Sequence, residues 1–153
     1  MFRRNGKVES HKLHGIPSGI FHPDVLSVIA GTTVMNPIRL AREVKDLRSK
    51  GVQVESSNLL ISPDTQLIMP WHEVRDGERE EKRGRETGVK IETTKRGIGD
   101  TYSDHALREG FRMEDLLKSN EEFERKLDLQ LRDQERYMKD ASRRTNVNRV
   151  IIS

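Results

Sequence analysis

Apolar residues in the first half of the chain form short runs that polar turns separate. The run at residues 25–34 is typical of a buried parallel strand, although Pro23-Asp24 could start a helix at the same place. Two further runs, at 59–61 and 67–69, predict strands because a Ser-Pro-Asp turn separates them. A mixed segment at 12–21, with Pro-Ser-Gly near its centre, predicts a short strand that leads into a turn.

The clearest helix in the sequence lies between these predicted strands. Asn36 is a favourable N-cap, Pro37 suits the first helical position, and Gly51 suits the position just after the last turn. An apolar stripe at helical spacing connects the two ends: Leu40, Ala41, Val44 and Leu47. The order strand, helix, strand predicts the α/β class, with a partial, mostly parallel sheet and flanking helices.

The second half of the chain is richer in charge. Residues 75–86 mix both signs closely, which is typical of a solvated helix face, and residues 73–85 predict a charged, exposed helix or an excursion. Residues 89–91 alternate and give a weak strand signal that leads into a turn at 93–99. Residues 102–109 predict a short helix after Asp100.

A last long helix is predicted from a capping box at Ser119-x-x-Glu122 to about Lys139. Phe123, Leu127 and Leu131 repeat every four residues along it, which predicts core packing. The same stripe would be exposed if its partner surface were missing. Residues 147–151 could form a frayed strand. The 153 residues therefore predict one domain, with a weakly assigned helical tail at 126–153.

Composition narrows the classes of function. The hydrophobic fraction of 33% and the charged fraction of 35% predict a lean core and a large polar surface. The 28 basic and 25 acidic residues are interleaved, and only the segment 143–149 has basic residues without acidic ones. Aromatic residues make up 5% and form no cluster, so nucleic acid is an unlikely partner.

Cysteine and membrane signals are missing from the sequence. Without cysteine the chain has no disulfide scaffold and no thiolate metal site, which fits the cytoplasm. No apolar run approaches the roughly 18 residues that a membrane-spanning helix needs. The first residues also lack an apolar signal region. We therefore expect a cytoplasmic chain with no membrane partner.

The segment most informative about function is the turn at 93–99, T-T-K-R-G-I-G. Thr93 and Thr94 offer hydroxyl donors, Lys95 and Arg96 offer positive charge, and Gly97 lets the backbone approach a ligand closely. The segment predicts an anion-binding turn, and the anion that we expect is a nucleotide phosphate. The phosphate-loop motif G-x-x-x-x-G-K-[ST] is absent. A solvated basic turn is the alternative.

Histidines give weaker signals. His11, His14 and His22 lie close together in sequence without a clear ligand spacing, so surface or hydrogen-bonded histidine is the default and no metal site is predicted. His72 and His105 lie in polar surroundings, where a general-base role is conceivable but nothing else in the sequence supports it.

Arg108 and Arg112 give a second weak signal. If the helix continues past Gly110, the two arginines share one of its faces, with Asp104 as the ion-pair partner of Arg108 one turn earlier. On chemistry alone, a solvated helix face is the favoured interpretation.

Several segments together resemble the adenylosuccinate synthetase family. Residues 13–20, L-H-G-I-P-S-G-I, are similar to the family's L-H-L-I-P-S-G-I, and residues 93–99 are similar to its T-T-x-R-G-I-G. Residues 51–52, 59–62 and 67–72 follow the family's central stretch. After the turn, the matching positions are Tyr102, Asp104, Arg108, Gly110, Arg112, Asp115 and Leu116. The resemblance covers about residues 5–125.

The chain departs from the family pattern at a few positions. Glu92 replaces a glycine and puts a negative charge next to the predicted phosphate site. Asp100 replaces a proline, and His105 replaces a lysine. Close to a phosphate, His105 could act as a switchable cation.

The resemblance implies a fold similar to the central part of the synthetase, which is P-loop NTPase-like. It implies the family's activity, the GTP-dependent ligation of IMP and L-aspartate to adenylosuccinate. It further implies that Thr94 contacts the IMP phosphate, and that Arg108 reaches across a homodimer interface to IMP in the other subunit. Further contributors to the phosphate contact would be Thr93, Lys95, Arg96 and Gly97.

The family's phosphate loop, its catalytic Asp and its catalytic His have no counterpart in these residues. The resemblance therefore implies no catalytic residue in this chain, and the main ligands of the family's cofactors, Mg²⁺ and GTP, are missing. Three functions stay open. The first is part of a larger or truncated synthetase. The second is a non-catalytic partner that binds a purine nucleotide or pairs with a full-length synthetase. The third, and least favoured, is a nucleic-acid binder using Lys95, Arg96 and Arg143-Arg144.

Overall fold

The structure is a computed structural model that describes residues 2–4, 7–9, 11–88 and 94–135. These ranges contain six short strands and four helices. The strands are β1 (Phe2–Arg4), β2 (Lys7–Glu9), β3 (Ser27–Ile29), β4 (Val34–Met35), β5 (Leu59–Ile61) and β6 (Gln66–Leu67). The helices are α1 (Pro37–Ser49), α2 (Pro70–Thr87), α3 (Ile98–Ala106) and α4 (Asn120–Asp133), with 3₁₀ turns at Ser18–Phe21 and Met113–Leu117.

The strands form three pairs. β1 and β2 are antiparallel, whereas β3 pairs with β5 and β4 pairs with β6 in parallel. Helix α1 follows β3 and β4 in the chain and precedes their partners β5 and β6. The predicted α/β layout is therefore confirmed. The strand predicted at 67–69 is shorter than expected, since β6 ends at Leu67 and Met69 already caps α2.

The strand predicted at 25–34 forms only in part, as β3 and β4 with a turn between them, and β3 is buried on one face only. In the β3–β5 pair, Val28 lies opposite Leu60, and these side chains are 54% and 44% exposed. Leu26, just before β3, is also exposed. Ile29, on the opposite face of β3, is buried in the core. This outer apolar patch, made by Leu26, Val28 and Leu60, is unusual for a parallel sheet, whose faces are normally both covered.

Helix α1 forms where its end signals predicted. The Asn36 side chain accepts hydrogen bonds from the N–H groups of Ile38 and Arg39, at 3.1 and 3.0 Å, and Pro37 occupies the first turn. The helix ends at Ser49, two residues before Gly51. A carboxylate on its outer side, that of Glu43, accepts the backbone N–H groups of His14 and Gly15. This contact attaches the segment that precedes Pro17 to the helix.

The strand predicted at 12–21 is wrong. Residues Ser18–Phe21 form a 3₁₀ turn instead, which follows directly on Pro17. The four-residue spacing of Ile16 and Ile20 places both side chains in the core, as it would in a helix. The first core cluster is formed by Ile16, Ile20, Ile29, Met35, Leu40, Leu47, Val52 and Val54.

A second core cluster lies beneath α4. Its buried members are Leu67, Met69, Trp71 and Phe111. The stripe of Phe123, Leu127 and Leu131 packs against them, which confirms the predicted core role. Of the capping box predicted at the start of α4, the N-cap is confirmed, because the Ser119 hydroxyl oxygen accepts the N–H of Glu122 at 3.3 Å. The Glu122 carboxylate accepts from the same hydroxyl at 3.2 Å. The predicted continuation to Lys139 and the strand at 147–151 lie outside the described residues.

Helix α2 is charged, as predicted, but it is longer and better buried than its sequence suggested. It begins at Pro70 and ends at Thr87, and Gly88 follows it with a left-handed φ of 69°. One side of the helix is buried, through Trp71, His72, Val74, Gly77 and Glu80. Among the described residues, no helix is both long and apolar enough to cross a membrane.

Candidate functional site

The turn that the sequence singled out lies immediately before α3. Thr94, Lys95 and Arg96 are all exposed, and Lys95 adopts a left-handed φ of 51°. Gly97 follows with a φ of 71° and is buried. We call residues 94–97 the 94–97 turn. Thr93 and the predicted strand at 89–91 lie outside the described residues. The turn therefore presents one hydroxyl and two cations to solvent at the positive end of a helix dipole.

Gly97 attaches this turn to α2 and α3 through hydrogen bonds. Its N–H donates to Asp76 Oδ2 on α2 at 3.1 Å, and its carbonyl accepts the N–H and the hydroxyl of Thr101 on α3, at 3.0 and 2.8 Å. A β-carbon at Gly97 would lie 2.6 Å from the β-carbon of His72 and 2.7 Å from its carbonyl carbon. Only glycine fits here, since both the conformation and the close approach of the α2 backbone exclude a side chain.

His72 lies in the first turn of α2, directly behind Gly97, and is 1% exposed. The backbone N–H of Met69 donates to its Nδ1 at 3.0 Å, so this nitrogen carries a lone pair. Nε2 therefore carries the proton and donates it to Asp104 Oδ2 on α3 at 2.9 Å. The ring joins α2 to α3.

Asp104 is the acceptor at the other end of this contact. It also accepts hydrogen bonds from Arg75, whose two terminal nitrogens lie 2.9 and 3.3 Å from the carboxylate oxygens. Burial alone would raise the pKa of Asp104, but the hydrogen bond from His72 and the Arg75 guanidinium outweigh burial and lower it. Asp104 is therefore a carboxylate at neutral pH.

Asp100, in the first turn of α3, extends the ion-pair network between the two helices. Its Oδ1 lies 2.6 Å from a terminal nitrogen of Arg79 and 3.6 Å from Nε of Arg75. The family's proline at this position could not form such a pair, so Asp100 replaces a rigid residue with a buried salt bridge. Its other oxygen, Oδ2, is buried without a hydrogen-bond partner.

The structure contradicts the predicted placement of Arg108. Helix α3 spans Ile98–Ala106 rather than 102–109, and Arg108 follows it with a left-handed φ of 62°. It therefore does not share a helix face with Arg112, which pairs with Asp64 and Glu114. Asp104 does not pair with Arg108 either, because His72 and Arg75 occupy its oxygens.

Arg108 and the 94–97 turn lie at opposite ends of α3. Nine helical residues separate them, which corresponds to roughly 14 Å. The Arg108 side chain is exposed, and it forms no ion pair with any residue in the described ranges. Within one chain, the two candidate phosphate contacts are therefore not brought together.

A cavity of about 390 Å³ opens beside the turn. Arg96 and Ile98 form one side of it, and the start of α1 forms another. Across the cavity Asn36 and Arg39 both donate to Glu73 Oε1, at 3.2 and 2.9 Å. Sequence reasoning missed this polar group, because Asn36 was fully explained as a helix cap and Glu73 as part of a charged face.

The histidine hypotheses have a clear structural outcome. His11 stacks on Phe21 at 5.3 Å between ring centroids, and the described part of the chain contains no group of three acidic or histidine side chains placed to hold a metal. His72 is buried behind Gly97 and faces no open site, so a general-base role is disfavoured. His105 is exposed near the end of α3.

Parallel strand pairs with covering helices define an α/β protein, and comparison with known proteins identifies which one it resembles. A model of the adenylosuccinate synthetase family matches residues 5–152. The chain belongs to the adenylosuccinate synthetase family. This match confirms the resemblance drawn from residues 13–20 and 93–99.

Comparison with curated proteins identifies relatives from the same family. The adenylosuccinate synthetase of Staphylococcus epidermidis is 45% identical over 119 residues, which are 78% of this chain and 26% of the relative. That of Staphylococcus aureus is 43% identical over 131 residues, 86% of this chain and 29% of the relative. The chain thus spans between a quarter and a third of the curated relatives that it matches.

A solved structure supports the fold. The fully ligated adenylosuccinate synthetase of Plasmodium falciparum superimposes with a TM-score of 0.70 at 26% identity. The match covers 91% of this chain and 31% of that one. The predicted fold, a partial α/β sheet similar to part of the synthetase, is confirmed.

Proposed function

We propose that this chain serves purine nucleotide biosynthesis as the part of an adenylosuccinate synthetase that holds the phosphate of IMP. The whole reaction would be the GTP-dependent ligation of IMP and L-aspartate, carried out in the cytoplasm. The observation that carries the proposal is the 94–97 turn in a chain of this family: its hydroxyl and cations are exposed, while its glycine is fixed in the fold.

The turn has the chemistry that a phosphate monoester requires. The Thr94 hydroxyl can donate to a phosphate oxygen, and Lys95 and Arg96 supply positive charge. The N-terminus of α3 adds unpaired backbone N–H groups and a favourable dipole. The adjacent cavity of about 390 Å³, with Arg96 at its side, offers space for the nucleoside.

Arg108 is proposed to serve a second subunit. Its exposed guanidinium has a planar fork that can hold two phosphate oxygens at once. Because it lies at the end of α3 away from the 94–97 turn, it is placed to reach a nucleotide on another chain rather than on its own. This placement supports a homodimer in which each subunit lends one arginine.

The cofactors of the family do not fit the described residues. These residues offer no cluster of acidic or histidine side chains for Mg²⁺, and they include no phosphate loop for GTP. No step of the reaction is therefore assigned to side chains of this chain beyond binding and orienting the nucleotide. We expect the purified chain alone to form no adenylosuccinate from IMP, GTP and aspartate.

Calorimetric titration with IMP tests the proposal. Thr94→Ala and Arg108→Ala each remove a charge-assisted contact, so each should weaken binding about ten-fold or more. Arg125→Ala, at an exposed arginine on α4, is the matched control and should leave binding unchanged. If both site variants bind IMP like the parent chain, the phosphate is not held by these residues.

A second candidate is a non-catalytic partner of an intact synthetase. Arg108 favours it, because its guanidinium is exposed, forms no ion pair within the described ranges and could be offered to the nucleotide site of a full-length subunit. Mixing the chain with an intact synthetase should then give a mixed oligomer with an altered turnover rate. Separate elution with no change in rate would exclude this function.

A further inference from the structure

The conformation of the 94–97 turn depends on side chains that the proposed ligand cannot touch. Gly97 has three hydrogen bonds, and all of their partners belong to α2 or α3: Asp76, the Thr101 backbone and the Thr101 hydroxyl. Its neighbours Thr94, Lys95 and Arg96 are exposed and rely on Gly97 for their direction. The orientation of the turn is therefore set by α2 and α3 through their hydrogen bonds to Gly97.

The Thr101 hydroxyl connects this support to His72. Its oxygen lies 2.8 Å from the Gly97 carbonyl and 2.9 Å from His72 Nδ1, and both of those atoms are acceptors. The hydroxyl has one proton to share between them. The Met69 N–H favours an unprotonated Nδ1 on His72, because a proton there would face the proton of that N–H group.

Asp104 determines which nitrogen of His72 carries the proton. Its carboxylate is buried, 4% exposed, and can only accept, so it keeps the proton on Nε2. Arg75 holds the carboxylate in place from the other side at 2.9 Å. The chain of contacts therefore runs from Arg75 and Asp104 through His72 and Thr101 to Gly97.

We propose that Asp104 and Thr101 are positioning residues for nucleotide binding: by fixing the tautomer of His72 and the carbonyl of Gly97, they hold the 94–97 turn in its binding conformation. This inference rests on the proposed function of the turn. Neither residue touches the nucleotide. Nothing in the sequence pattern indicated this role, since helical spacing suggested Asp104 as an ion-pair partner of Arg108.

The Asp104→Asn variant separates positioning from a simple effect of charge. Removing a negative charge near an anion site strengthens phosphate binding by electrostatics alone. Asparagine, however, can present its NH₂ group to His72 Nε2 and so favour a proton on Nδ1. That proton would face the Met69 N–H and displace the ring, which lies against Thr101 and Gly97. Positioning therefore predicts IMP binding that is roughly three- to ten-fold weaker, the opposite sign.

Thr101 provides a pair of variants that separates positioning from stability. Thr101→Val keeps the shape of the side chain and loses the hydroxyl, so it should weaken IMP binding about as much as Asp104→Asn. Thr101→Ser keeps the hydroxyl and loses a buried methyl group, so it should bind like the parent chain although it is less stable. Asp128→Asn, at an exposed carboxylate on α4, controls for the change in net charge.

The experiment combines IMP calorimetry on the full chain with ¹⁵N NMR of the His72 ring and amide exchange at Gly97. Support is weaker IMP binding, a mixed His72 tautomer and faster Gly97 exchange in Asp104→Asn, with Thr101→Ser close to the parent. Unchanged or tighter binding in Asp104→Asn and Thr101→Val would overturn the inference.

A parent chain that binds no IMP would instead refute the proposed function. The NMR measurements would then decide the inference alone. Unchanged Gly97 exchange in Asp104→Asn would overturn it, and faster exchange would uphold the support of the turn by these residues.

Discussion

The substitution Gly97→Ala tests the central geometric claim about the 94–97 turn. Two costs add at this position. A left-handed φ costs a residue with a β-carbon about 1–2 kcal/mol. The new methyl would also lie 2.6–2.8 Å from His72 and from the backbone N of Glu73, and these atoms belong to a helix that cannot yield locally. Forcing an extra methyl into such a packed site typically costs another 1–3 kcal/mol.

The sum, about 2–5 kcal/mol, should appear as a lower midpoint in urea denaturation with an unchanged slope. Gly88→Ala is a close control, because Gly88 has a similar φ of 69° but no atom within 4 Å of the added methyl. Gly88→Ala should lose only the roughly 1–2 kcal/mol that a left-handed φ costs a residue with a β-carbon. Effects on the unfolded chain are the same for both variants and cancel in the difference. Equal losses in the two variants would show that α2 does not approach Gly97 as described.

Three further predictions concern stability. The pKa of Asp115 is lowered, because hydrogen bonds from Lys118 and Lys126 outweigh burial, which raises it. The stabilisation of the fold by the Asp115 carboxylate is therefore present above the unfolded pKa of about 4, and it is lost as the pH falls through the lower folded pKa. Asp115→Asn should then have a lower free energy of unfolding at pH 7, and this free energy should fall less steeply than that of the parent as the pH is lowered, in urea denaturation at a series of pH values. The same dependence on pH in both chains would contradict this. Asn36→Ala removes the N-cap of α1 and should cost about 1–2 kcal/mol by urea denaturation, whereas a loss below measurement error would mean that the cap is not formed. Leu47→Ala, at a side chain 1% exposed, should cost about 2–5 kcal/mol in the same assay, and a surface-like loss would place Leu47 outside the core.

The elements that the sequence predicted well have local signals. Helix α1 has a cap, a proline and a following glycine within its own segment, and the structure places its ends accordingly. Helix α4 begins after its N-cap, Ser119, for the same reason. The segment at 12–21 was mispredicted because its apolar residues suit more than one conformation. There, the spacing of Ile16 and Ile20 was a better guide than the number of apolar residues.

The candidate site was predicted only in its exposed part. Thr94, Lys95 and Arg96 were identifiable because hydroxyls and cations beside glycine have a recognisable chemistry. The residues behind them were not, since His72 and Asp104 are 32 positions apart and meet only through the packing of α2 on α3. Arg108 was misplaced for a related reason. Helix periodicity did not show that α3 ends at Ala106, two residues before Arg108.

The outer apolar patch on β3 and β5 has a practical consequence for every titration suggested above. Side chains such as Val28 and Leu60, half open to water on a parallel sheet, favour self-association at the concentrations that calorimetry requires. We expect the purified chain to enhance the fluorescence of an apolar dye and to release measurable heat on dilution. Binding heats should therefore be measured at several protein concentrations. Leu26→Thr or Leu60→Thr, at patch residues that do not line the 390 Å³ cavity, should reduce the dilution heat without affecting nucleotide binding.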